Sequence, residues 1–416
     1  GCRHGFDERR GHLVAVRDRL GRTTVEGVAV VGDGNQKNAT SYARLKVGEG
    51  YISGYLSIFF ALVSFGGVLC FLFPEILTTP EYRHNYPVEI LRGVLLMCML
   101  FSFLFALVSL ILCKSKIPSL LATVISGLSI LMGGATVEIK QFNDLGFYVS
   151  LDWLLLDLLV LALIFIPVEL FFPKRTNQSK FHEEWKTDLI YFAFAHLLIQ
   201  MTAVSVQAPA SYYFGSLHLE GLHHFVQALP FLIELPLALL VTDLFQYSAH
   251  RAFHRMPLLW RFHAVHHSIR AVDWMAGSRL HIIDVLVTRA FSYLPLYVLG
   301  FSIEVFYVYV IIVSLQAVLA HANTRIQFGF LKYLIVTPQY HHWHHSDNPS
   351  AYDKNFAIHF PFIDFLFGTY HLPGDQWPES TGLADTSFPK GYFRQFAFPF
   401  WKNPSDQQDI KDASQR

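Results

Sequence analysis

Charge is the first thing this chain lacks. Only 15% of its 416 residues are Asp, Glu, Lys or Arg, against about 25% in soluble domains. The 32 basic and 32 acidic residues cancel, so no global excess exists to attract nucleic acid. Cysteine is scarce too. The four cysteines, Cys2, Cys70, Cys98 and Cys113, show no paired spacing, and three of them sit in apolar runs. That excludes a disulfide framework and a zinc knuckle. The sequence opens on Gly1 rather than Met and shows no signal peptide, so its natural start is expected to be missing or altered.

What remains is apolar. Hydrophobic residues make up 52% of the chain, with 38 phenylalanines. A membrane span needs about 20 apolar residues. The candidates are Ile52–Phe73, Ile90–Cys113, Ile117–Ala135, Trp153–Phe172, Leu189–Val206 and Phe225–Tyr247, followed by Ile282–Ala320, long enough for two passes. Pro295 and Gly300 near the middle of that last stretch predict a helical hairpin. Residues 1–50 read as a polar cytoplasmic N-terminal tail, 51–140 as accessory helices, 150–373 as the main domain and 374–416 as a cytoplasmic C-terminal tail. With the N-terminus inside, the segments between spans sort by charge. The outside loops carry only Arg83 and Lys140, and the remaining Lys and Arg fall mostly inside.

Histidine supplies the chemistry. The stretch HRAFHRMPLLWRFHAVHHS holds His250, His254, His263, His266 and His267, and YHHWHHS holds His341, His344 and His345. A helix brings i, i+3 and i+4 onto one face, so each group presents its imidazoles in one direction. Neutral imidazole ligates iron, zinc, copper and nickel. His321 ends an apolar run, and His281 starts the hairpin. Nine or ten imidazoles exceed the roughly four to six ligands of one centre, so two metals are expected. Spacing alone does not name them, since such sites bind zinc or copper more tightly than iron. His342 lies off the common face and is not expected to be a ligand. His359 and His371 are expected at the surface, near the site. His182, His196, His218, His223 and His224 are expected to be structural. Asp243, seven residues before His250 on the same helix face, is a carboxylate inside a span and a candidate partner for a metal-bound imidazole. Asp188 is a second.

The boxes HRAFH, HAVHH and HHWHH, with HANTR before the last and NF…D…LFGTY after it, resemble the fatty acid hydroxylase and sterol desaturase superfamily. The resemblance covers about Asp152 to Pro373. It implies an all-α polytopic transmembrane bundle, with a cytoplasmic helical cap that carries a His-rich di-metal site. The implied cofactors are two iron ions, with O2 as co-substrate. His250, His254, His263, His266, His267, His321, His341, His344 and His345 would be ligands and His281 a tenth, although Ile282 stands where relatives have Pro. Asn355 would hydrogen-bond a metal-bound water, and Ala357 replaces the usual Gly. The implied reaction is hydroxylation of an unactivated C–H bond of a membrane lipid: fatty acyl, sphingoid, sterol, carotenoid or alkylglycerol. Desaturation and ether cleavage run on the same scaffold. No fused cytochrome b5, flavin or iron–sulfur motif is found, so a separate ferredoxin or cytochrome b5 system is implied as electron donor. The membrane would be the inner membrane of a bacterium or the endoplasmic reticulum of a eukaryote. A zinc hydrolase would place a Glu beside its His ligands, and none adjoins these. A metal transporter would hold its ligands near mid-membrane.

Overall fold

The computed structural model describes residues 16–17, 23–24, 49–83, 86–139, 147–197, 206, 209–210, 212–215, 219–384 and 388–401. Residues 1–43 and 44–416 are separate units. The described part of the first is a two-residue antiparallel ladder, Val16–Arg17 with Thr23–Thr24. The rest of the expected N-terminal tail up to residue 48, Cys2 included, lies outside the described residues, as do His218 and residues 402–416 of the C-terminal tail.

In the second unit the described secondary structure is helical, apart from one isolated bridge between Ser346 and Thr381. Ten helices organise it: α1 (Tyr51–Leu72), α2 (Val88–Leu112), α3 (Ile117–Leu131), α4 (Leu151–Phe171), α5 (Trp185–Leu197), α6 (Phe231–Arg255), α7 (Pro257–His267), α8 (Ile282–Leu299), α9 (Ile303–His321) and α10 (Pro338–His344). Among the described residues seven helices are long and apolar enough to cross a membrane: α1, α2, α3 with the turn after it, α4, α6, α8 and α9. The chain is a multi-pass membrane protein. The expected span Leu189–Val206 is helical through Leu197, and most of its second half lies outside the described residues.

Two boundaries differ from the sequence reading. Phe225–Tyr247 is not one span. Pro230 precedes the first turn of α6, which then runs on to Arg255. A proline there is preorganised for a start and cannot continue a preceding helix. His250 and His254 therefore lie inside the last turns of a spanning helix. The 282–320 hairpin turns at Gly300, whose φ of 76° suits glycine, while Pro295 stays within α8. A Cβ on Gly300 would collide with the His223 ring. Glu234 fastens this turn by accepting from the backbone N–H of Ser302 at 2.6 Å and its hydroxyl at 2.9 Å.

Small polar residues join the first three helices. Ser102 donates to the Ser57 carbonyl at 3.0 Å, and Ser126 bonds Ser102 at 2.8 Å. Such residues let helix backbones approach closely in lipid, where hydrophobicity drives no association.

The fold gathers the site at one end of the bundle. Helix α6 has 25 residues, about 37 Å at 1.5 Å per residue, more than the roughly 30 Å hydrocarbon layer. Its C-terminal turns carry His250 and His254 at that end of the bundle. Helix α8 starts at that end, and α9 returns to it with His321 as its last residue.

Candidate metal centre

Nine buried histidines form two groups. His250, His254, His263, His267 and His344 make one; His266, His321, His341 and His345 make the other. Within each group one donor atom per ring lies within 4.8 Å of the others. Helix geometry does the sorting. His250/His254, His263/His267 and His341/His345 are each four apart, share a face and stay in one group. The neighbours His266 and His344 point about 100° away from His267 and His345 and cross to the opposite group. The two double-His boxes thus interlock.

Each element has its own reason to be where it is. Helix α7 restarts one residue after α6 at Pro257, and α10 starts at Pro338 with Thr337 capping the Tyr340 N–H. Asp364 accepts from the Phe356 and Ala357 N–H groups, the Tyr340 hydroxyl and the Thr369 hydroxyl, at 2.6–2.9 Å. Asp353 and Asn355, on either side of Lys354, hold φ values of 55° and 61°, uncommon for non-glycine residues. That conformation turns the Lys354 carbonyl onto His344.

Carbonyls and one carboxylate fix the rings from behind. Nδ1 donates from His250 to the Phe356 carbonyl at 2.8 Å, from His344 to Lys354 at 2.8 Å, from His321 to Ala317 at 2.7 Å and from His266 to Arg279 at 3.2 Å. His263 Nδ1 meets Asp284 at 2.7 Å. A neutral ring that donates through Nδ1 keeps a lone pair on Nε2. The Nε2 atoms of these supported rings face one another or a neighbouring imidazole: His250 and His263 at 3.1 Å, His267 and His344 at 3.0 Å, His321 and His341 at 3.0 Å, His321 and His345 at 3.2 Å. Facing lone pairs repel, and a cation between them removes the repulsion. A metal–nitrogen bond of about 2.1 Å puts ligands about 3.0 Å apart at right angles and about 3.4 Å apart in a tetrahedron. The rings fit a metal.

Burial and mutual repulsion keep the imidazoles uncharged. They lower the pKa of His266, His267, His341 and His345 well below the ordinary value. Burial takes His344 to about 3. Neutral rings are the ligating form.

Several expected site residues lie elsewhere. His281 is outside both groups. Its Nδ1 accepts from the Ile283 N–H at 3.1 Å, capping α8, and its Nε2 donates to the Phe396 carbonyl at 3.1 Å, so neither nitrogen is left for a metal. Asp243 touches no imidazole. It accepts from the N–H groups of Ile358, His359 and Phe360 at 2.7–3.0 Å. Two helical turns separate it from His250, about 10 Å along the axis, beyond carboxylate reach. Asn355 spends its amide on the Tyr340 and His371 backbone. Asp188 pairs with Arg279 at 2.5 Å. His342, buried, contacts the His321 carbonyl at 3.3 Å. His359 is buried rather than at the surface, against Tyr309.

Asp284, Gly277 and the carbonyl partners escaped the sequence reading. Asp284 lies three residues after His281, a spacing that carries no tertiary information. A Cβ on Gly277 would stand 2.8 Å from His321 Nδ1, so this glycine makes room for the ring.

A cavity of about 300 Å³ opens beside both groups. His250, His263, His266, His321 and His341 line one end, and the rest follows α4, α8 and α9.

Comparison with known proteins matches the same region. Residues 235–369 match the fatty acid hydroxylase family model. An ornithine lipid hydroxylase of Rhizobium tropici is 32% identical over 201 residues, 48% of this chain and 58% of that protein. An alkylglycerol monooxygenase of Danio rerio is 31% identical over 140 residues, 34% of this chain and 31% of its own. A very-long-chain aldehyde decarbonylase of Oryza sativa subsp. indica is 28% identical over 158 residues, 35% of this chain and 25% of its own. The chain thus spans 58% of the first relative's length and less than a third of the other two. No solved structure matches at a comparable level. The histidine-bearing region of this chain, common to these proteins, is thus similar to the fatty acid hydroxylase superfamily.

Proposed function

We propose that the protein is a membrane di-iron oxygenase that hydroxylates an unactivated C–H bond of a lipid, using O2 and external electrons. The observation that carries the reading is the convergence of nine buried imidazoles, in two metal-sized groups, on one end of a cavity among membrane helices. Iron in both groups would supply the redox chemistry with O2 that hydroxylases and monooxygenases need.

The chain's own residues do the rest. His250, His254, His263, His267 and His344 hold one ion, and His266, His321, His341 and His345 the other. Asp284 and the backbone carbonyls hold the tautomers. The cavity wall excludes water and aligns the lipid, which enters from the bilayer, with its reacting carbon beside the histidines. Fatty acyl, sphingoid, sterol and alkylglycerol lipids are the substrate classes. The site faces the cytoplasm by the distribution of Lys and Arg, and a ferredoxin or a cytochrome b5 with its reductase delivers electrons there. Residues 150–373 form the catalytic domain, and 51–140 are accessory helices.

The test is metal content per chain after anaerobic purification from iron-replete cells, followed by lipid analysis under labelled O2. Two irons per chain and one labelled oxygen in a lipid are expected; His344→Ala should lose the labelled oxygen together with the iron of its own group. A product that loses two hydrogens and gains no oxygen replaces hydroxylation by desaturation. Zinc alone, persisting after ferrous reconstitution, refutes the oxygenase. Full activity of His344→Ala refutes the ligand assignment.

A further inference from the structure

A third of the way along α4 the chain places a carboxylate where hydrocarbon is expected. Asp157 lies within a candidate span and lines the same cavity as the histidines. Its Oδ2 is 2.6 Å from His196 Nε2 on α5, and the Ser314 hydroxyl on α9 approaches its two oxygens at 3.3 and 3.4 Å. His196 Nδ1 is 2.7 Å from the Phe192 carbonyl. A carbonyl only accepts, so Nδ1 carries a proton, and the Asp157 contact needs another. The pair is therefore imidazolium with carboxylate, or a neutral ring with a carboxylic acid, and is neutral overall either way.

A neutral pair is tolerable inside a membrane, but it is poor cement. Well-packed apolar side chains would join three helices without the cost of desolvating two charges, and ionisable residues at this depth mark function by default. Asp157 and His196 each remain 13% exposed, and both face the cavity. A carboxylate offers about four lone-pair sites. One short bond and two long contacts leave acceptor capacity directed at whatever fills the cavity. Ser314 precedes His321 by seven residues on α9, so this acceptor sits about 10 Å along the helix from the metal-facing end.

We propose that Asp157, held by His196 and Ser314, is a lipid-recognition site that accepts a hydrogen bond from an O–H or N–H group on the substrate. The site selects lipids carrying such a donor some 10 Å from the carbon beside the histidines. This rests on the reading of the cavity as the lipid site.

The test uses two pairs of amphiphiles: hexadecyl alcohol with hexadecyl methyl ether, and hexadecylamine with hexadecyltrimethylammonium. Within each pair one member has a donor and the other has none. Native mass spectrometry of the detergent-solubilised full chain counts bound amphiphile without turnover. The donor-bearing member should bind at least tenfold more tightly in one pair or both. The pair with the larger ratio tells a hydroxyl from an ammonium source. Asp157→Asn, nearly isosteric, should cut that ratio at least threefold, and Asp157→Leu should bring it to about one, with metal content unchanged. A ratio of one in the wild type overturns the proposal, and so does a ratio that survives in Asp157→Asn if the Leu variant fails to fold. Labelled oxygen appearing equally in donor-bearing and donor-free lipids would overturn it while leaving the hydroxylase reading intact.

Discussion

His263 Nδ1 lies 2.7 Å from Asp284 Oδ2, with both side chains buried. The bond links α7 to the first turn of α8 and leaves His263 Nε2 facing His250. Partners of this kind orient a ligating ring and raise its basicity, and their loss costs about 10- to 100-fold in metal affinity.

Asp284→Ala should therefore weaken one ion selectively. His263 belongs to the five-membered group, while in the other group His266 and His321 rest on carbonyls of their own. Dialysis against a graded chelator series, with metal counted per chain, should show one ion leaving at about 10- to 100-fold lower chelator strength than in the wild type. Simultaneous loss of both ions would contradict the independence of the groups.

Gly277 gives a second handle on the same partition. A methyl group there would meet His321 Nδ1 at 2.8 Å and the Ala317 carbonyl at 3.3 Å. The ring ends α9 and is tied to Ala317, so it has little freedom to yield. Gly277→Ala should tilt His321 and empty the four-membered group, lowering hydroxylation at least tenfold. Metal content near one ion per chain, in protein whose thermal midpoint shifts little, checks it. Gly277→Ala protein with full metal content would show that the ring can move aside.

The sequence made the donor atoms legible and left their supports hidden. Boxes at i, i+3 and i+4 marked eight of the nine histidines that converge, and the family resemblance added His321. The same rule could not sort them into two groups, because His266 and His344 stand at i+3 from His263 and His341 yet belong with the opposite set. Long apolar runs located the spans, but the start of α6 needed attention to Pro230. All but one of the supports are tertiary, the exception being the Ala317 carbonyl one turn before His321. Four are backbone carbonyls, which every residue offers and no side chain marks. Asp284 reaches His263 across 21 positions. Asp243 was picked out rightly as a carboxylate too costly to be idle within a span. Its partners are three backbone N–H groups more than 100 residues away, and helical periodicity carries no information at that range.

Those three N–H groups make Asp243 a stability residue. It is fully buried and holds the 358–360 backbone just after Phe356, whose carbonyl supports His250. Asp243→Asn replaces a charged acceptor by a neutral one and turns an N–H₂ toward backbone donors. A buried donor left unsatisfied costs about 1–3 kcal/mol, so unfolding in detergent should shift by that much. The folded fraction should keep both ions, because no imidazole touches Asp243. Metal loss without destabilisation would make it a partner of the ligands instead.

His359 sets a pH limit on the same segment. Burial lowers its pKa to about 4, against about 6.5 in an unfolded chain. A depressed histidine pKa means that the unfolded state binds the proton more readily. Its stabilising contribution is complete above about pH 6.5 and falls as pH drops toward 4. Between pH 7 and pH 5 the two values correspond to a loss of about 2 kcal/mol. His359→Asn cannot titrate, so its unfolding free energy should fall by about 2 kcal/mol less over that interval. Parallel thermal unfolding of both proteins at pH 7 and pH 5, after metal removal by chelator, isolates the effect from ligand protonation shared by the two. Identical pH profiles would show that His359 is accessible to water in the folded protein.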